Sequence, residues 1–151
     1  MKQNFQRWCL VVLWCLVIYC FSEFSLFTGE NTKRVLEAVL AYLPFGRGGD
    51  GTSSPLNFIV RKLAHLTEFG ILAVLVWRAL EPMRLAYVGA WIFATVYAMT
   101  DEWHQSFEPG RTATPKDVVI DSCGALLALI GVFLYMRWKK KNHNPAKQGV
   151  L

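Results

Sequence analysis

Four blocks of apolar residues, Trp8 to Phe24, Leu63 to Leu80, Leu85 to Met99 and Val118 to Met136, constrain this chain more than any other feature. Crossing about 30 Å of hydrocarbon takes roughly 20 residues of helix, and each block approaches that length. A single soluble core could not absorb them, because 54% of the 151 residues are hydrophobic and 14% aromatic. The expected fold is an all-α membrane protein, one domain over 1–151, built as a bundle of about four transmembrane helices. The spans are expected roughly at 8–27, 57–80, 85–103 and 115–137, with a basic tail at 138–151. Several blocks are short or carry a charge at one end. Charges near a helix end snorkel to the interface, whereas deeper ones need a partner or a water-filled pocket.

The formal charge of +5 does not point to nucleic acid, since the excess sits beside apolar spans rather than on a soluble face. Arg137, Lys139, Lys140, Lys141 and Lys147 follow the last span and suit an anchor against anionic lipid. Lys2 and Arg7 precede the first span, and Arg78 and Arg84 bracket the tight connection Glu81-Pro82-Met83. These groups together imply four crossings with both termini in the cytoplasm. Lys33, Arg34, Arg47, Arg61, Lys62, Arg111 and Lys116 fall on the other side, so the charge bias is not uniform. Cys9, Cys15, Cys20 and Cys123 lie within apolar spans, where a thiol acts as a small hydrophobe, and their spacing matches neither a disulfide framework nor a metal site. The first span lacks a small-residue cleavage site and reads as an uncleaved anchor.

Between the first two spans, Val35, Leu36, Val39, Leu40 and Leu43 repeat at helical spacing, which predicts a short helix over Asn31 to Leu43. It lies either along the membrane surface or against the bundle. Pro44 to Pro55, rich in Gly, Ser and Thr, reads as a loop. Ser54 before Pro55, and Thr114 before Pro115, predict N-capped helices with Pro at the first position. Asp117, three residues after Thr114, completes a variant capping box.

Three segments hold the ionisable groups that anchoring does not explain. Arg61, His65 and Glu68 share one helix face at the start of the second span, with Lys62 at its edge. Leaving the third span, Asp101 and Gln105 are one turn apart, as are Thr100 and His104, with Glu102 between them. Asp117, Asp121 and Gly124 continue one face into the fourth span, and glycine there lets another helix approach. Lone histidines are usually surface residues, and Asp117 can be only a capping acid. Glu68 and Asp121 resist that reading, because each sits within an apolar segment where an unpaired carboxylate costs at least a few kcal/mol. A shared polar site at the outer membrane face is the expectation.

The pattern Lys62-x-x-His65-x-x-Glu68-Phe69-x-x-Leu72, then Asp101-Glu102-x-His104-Gln105-x-Phe107-x-Pro109-x-Arg111, then Asp117 and Gly124, resembles the VanZ-like family of bacterial membrane proteins. The likeness covers about the last two thirds of the chain. Asp121 departs from it, standing where that family usually has Asn. The resemblance implies a place in the bacterial cytoplasmic membrane and a link to glycopeptide (teicoplanin) resistance. It does not supply a reaction.

The residues themselves allow three functions. In an enzyme acting on a lipid-linked phosphate or cell-wall precursor, His65 and His104 would serve as acid and base, and Glu68, Asp101, Glu102, Asp117 and Asp121 would polarise a nucleophile or bind a divalent metal. Lys62, Arg111 and Arg61 would hold phosphate, and Lys62, Gln105, Arg111, Asp117 and Asp121 are the candidate ligand-binding residues. The Lys-x6-Arg-Pro and Ser-Gly-His patterns of lipid-phosphate phosphatases and the His-Glu-x-x-His zinc helix do not occur. In the second function the charges tie the helices together, and the protein engages membrane lipid, glycopeptide or another membrane protein. A proton-coupled carrier is the third. Cofactor, metal and oligomeric state stay open.

Overall fold

A computed structural model describes residues 2–23, 38, 50–107 and 114–142, with the backbone alone for 50–57. The described elements are all helical: α1 (Lys2–Glu23), α2 (Asp50–Leu80), α3 (Ala86–Gln105) and α4 (Pro115–Asn142). Two of them, Lys2–Glu23 and Pro115–Asn142, are long and apolar enough to cross a membrane. The expected helix at Asn31 to Leu43 lies outside the described residues apart from Ala38, as do Pro109, Gly110 and Arg111.

Side-chain contacts give the topology. Trp14 Nε1 donates to the Glu68 carbonyl at 3.0 Å and Arg7 to the Arg78 carbonyl at 2.7 Å, so α1 and α2 run antiparallel. Tyr87 meets Phe133, with ring centroids 5.9 Å apart, while Trp91 Nε1 reaches the Ser122 carbonyl at 3.3 Å, so α3 and α4 are antiparallel. Lys62 lies beside Asp117, and Gly70 beside Ala128, so α2 and α4 are parallel. The result is an up-down-up-down bundle. α2, α3 and α4 pack on one another, and α1 lies against α2 and, more lightly, α3. Arg7, Arg78 and the tail of α4 gather at one end; Glu23, Lys62, Asp101 to Gln105 and Thr114 to Asp121 gather at the other.

Bulky side chains of α2 and α1, Phe69, Leu72, Val76, Val11 and Ile18, fill the core, and small residues of α3 and α4 close on it. Ala86, Ala90, Ala94 and Ala98 form one buried stripe along α3, a residue every turn. On α4 the buried set is Asp121, Gly124, Ala125 and Leu129. A Cβ at Gly124 would overlap the Leu66 carbonyl oxygen and stand 2.9 Å from Leu66 Cα, so glycine is what lets α2 and α4 touch through their backbones. Large apolar side chains, among them Leu13, Leu16, Ile92, Val96, Leu127 and Leu134, are exposed.

Two local expectations are corrected. α2 begins at Asp50, so Asp50 to Pro55 is helix rather than loop, and Ser54 is not its cap. Pro55 lies just past the first turn of this 31-residue helix and forfeits a single backbone bond. In α4, Pro115 is the first helical residue and the Asp117 N–H bonds the Thr114 carbonyl at 2.9 Å. The Thr114 N–H, however, goes to Glu102 Oε2 at 3.1 Å rather than to Asp117. Asp is one methylene shorter than the usual Glu of a capping box, and Asp117 is drawn to Lys62 instead.

α1 is held to the bundle by few polar contacts. One is Tyr97 Oη donating to the Cys15 carbonyl at 2.7 Å. Tyr97→Phe is expected to lower stability by about 1 kcal/mol or less, read by denaturant unfolding of the purified protein. A loss of several-fold more would mean that the hydroxyl has a second task.

Candidate functional site

The polar end is assembled by extending the apolar interfaces one or two turns. The alanine stripe of α3 continues into Asp101, Glu102 and Gln105, each 5–6% exposed. The glycine face of α4 continues upward into Asp121 and Asp117, and the Leu66 face of α2 into His65 and Lys62. Side chains from three helices thus converge because the helices converge.

Each acid has a distinct environment. Asp117 forms an ion pair with Lys62. Gln105 Nε2 donates to Asp101 Oδ2 at 2.7 Å across one buried turn. Glu102 accepts the Thr114 N–H and so ties the end of α3 to the start of α4. Asp121 is 1% exposed, and neither of its oxygens accepts a hydrogen bond. His65 Nδ1 stands 3.8 Å from Asp121 Oδ1, beyond hydrogen-bond reach. Asp101, Glu102, Asp117 and Lys62 all act on Asp121 electrostatically, so these groups form one field rather than separate pairs. Among the described residues no three His, Cys, Asp or Glu side chains converge as metal ligands.

The structure therefore brings together Lys62, His65, Asp101, Glu102, Gln105, Asp117 and Asp121. It places His104 apart from them: Nε2 faces Glu23 Oε2 at 3.4 Å, and its ring lies 5.1 Å from that of Tyr19, both on α1. Adjacent helical residues point about 100° apart, so with Asp101 and Gln105 turned inward His104 must point sideways. Glu68 is half-buried, and its backbone carbonyl accepts a hydrogen bond from Trp14 of α1. Arg111 lies outside the described residues. Glu23 was not among the residues expected at the site, although a carboxylate closing an apolar run is the signal that points to it.

The fold and the site define a small all-helical bundle with a buried polar end, and the sequence says which one. The chain belongs to the VanZ/LLP1 family, which it matches over residues 7–141. It is also similar to the adhesion G-protein coupled receptor G2 of Rattus norvegicus, 33% identical over 105 residues that cover 62% of this chain and 10% of the receptor. The Mus musculus receptor of the same name is 31% identical over 105 residues, with the same shares. The chain thus spans a tenth of the length of these curated relatives. No solved structure matches.

Proposed function

We propose that this VanZ-like protein is a multi-pass integral membrane protein of the bacterial envelope, all four helices crossing the bilayer. Its polar end would face outside and engage a lipid or a lipid-linked envelope precursor there. The observation that carries this is the apolar exterior: large aliphatic and aromatic side chains are exposed along α1, α3 and α4, while alanine and glycine line the buried faces of α3 and α4. In water so extensive an apolar surface would be costly, whereas in lipid it is solvated and close backbone packing supplies the cohesion. The basic groups at the end opposite the site support an inward orientation of both termini.

At the outer interface, half-buried Lys62, His65 and Asp117 form the accessible rim over buried Asp101, Glu102, Gln105 and Asp121. This arrangement suits recognition of a polar headgroup, and the family resemblance extends it to glycopeptide (teicoplanin) resistance. A second reading, an enzyme acting on a lipid-linked phosphate or cell-wall precursor, is favoured by the imidazole of His65 beside the buried Asp121 carboxyl.

Native mass spectrometry of the purified protein tests the binding reading. A lipid-sized adduct is expected on the wild type and is expected to fall at least several-fold in Lys62→Met and Asp101→Asn. Equal retention by all three would exclude the polar end as the binding site. In cells, wild-type expression is expected to raise teicoplanin tolerance and the same variants to abolish the rise; no difference between wild type and empty vector would remove the resistance link.

A further inference from the structure

Asp121 is the one described carboxyl that is fully buried while accepting no hydrogen bond. Its charged and titratable neighbours come from three helices. From α3 it faces Asp101 and Glu102, and from its own helix Asp117. From α2 it faces His65 and Lys62, and Lys62 is engaged by Asp117. A buried carboxylate that accepts no hydrogen bond, and whose nearest lysine is already engaged by another acid, is poorly tolerated. The group 3.8 Å away, His65, is the side chain best able to supply or share a proton.

We propose that His65 and Asp121 bind one proton as a unit, which makes the polar end of the bundle a proton-binding site. The proton sits on the line between Nδ1 and Oδ1. Carried by the carboxyl, it is donated from Asp121 to the imidazole; carried by the ring, it is donated from an imidazolium to the carboxylate. Both forms hold the same single proton, and in both the 3.8 Å separation would close to about 2.7–3.2 Å. Losing that proton leaves an unpaired carboxylate among three others. The pair lies one turn from the backbone contact of Leu66 with Gly124, so the proton links α2 to α4 where they are closest. The inference goes beyond ligand binding and holds for any headgroup chemistry at the rim.

Full-length protein in zwitterionic lipid nanodiscs tests it at about pH 8, where an ordinary His is neutral and an ordinary Asp ionised. Nitrogen-15 spectra of labelled histidine report an imidazolium, and infrared difference spectra report a protonated carboxyl. One of the two is expected in the wild type, and is expected to vanish in Asp121→Asn while the His104 signal stays put. In His65→Gln the proton has only Asp121 to reside on, and the protonated carboxyl band is expected at the same pH. This variant carries the test should Asp121→Asn fail to insert. A wild type with neutral His65 and no protonated carboxyl, or a His65→Gln protein with ionised Asp121, would overturn the proposal.

Discussion

Replacing Gly124 by alanine is expected to cost at least about 3 kcal/mol, the upper part of the range for overpacked cores, and to abolish stable folding if the two helices cannot part. The added methyl would overlap the Leu66 carbonyl oxygen and crowd Leu66 Cα. Both obstacles are backbone, so no rotamer change relieves them, and α2 and α4 would have to separate along their length. Separation would also draw Lys62 from Asp117 and His65 from Asp121, so the site should fail together with the fold. Gly131, on the same helix, is the control. A Cβ there meets nothing within 4 Å, and alanine should gain about 0.5–1 kcal/mol of helix propensity. Denaturant unfolding of both variants in one detergent measures the contrast. Equal stability of Gly124→Ala and wild type would mean that the two helices do not touch there.

The second large effect concerns charge. Lys62→Met is expected to destabilise the protein by about 2–3 kcal/mol, below the 3–5 of a fully buried pair because both partners keep some solvent. The loss comes less from the bond itself than from what remains, Asp117 joined to Asp101, Glu102 and Asp121 without the lysine. Asp117→Asn introduced into Lys62→Met should therefore restore most of the stability. Strictly additive losses would show that the two residues act separately.

Much of this site was legible in the sequence because helical spacing is a geometric fact. Asp117, Asp121 and Gly124 had to share a face, as did Asp101 and Gln105, and an apolar setting made Asp121 conspicuous. What spacing does not contain is the register between helices. Thr114 and Asp117 read as a local capping box, yet Glu102 of α3 takes the Thr114 N–H because the end of α3 lies against the start of α4. His104 belongs to the same short motif as Asp101 and Gln105 but faces α1, since the motif wraps around its helix and reaches two neighbours. The start of α2 was hidden for a different reason: Gly, Ser and Pro are loop formers on average, and here they form the first turns of a 31-residue helix whose later turns are strongly apolar. The alanine stripe of α3 was not singled out from the sequence, because its meaning as an inward face depends on which helices surround it.

The central claim is a membrane bundle whose polar end lies outside. It is tested most directly by cysteine accessibility in intact cells, after Cys9, Cys15, Cys20 and Cys123 are replaced. Phe107 and Met83 mark the two ends and are 70% and 62% exposed. A cysteine at Phe107 is expected to react with a membrane-impermeant maleimide in whole cells, and one at Met83 only after permeabilisation. Labelling of Met83→Cys in intact cells, with Phe107→Cys protected until the membrane is opened, would contradict the account.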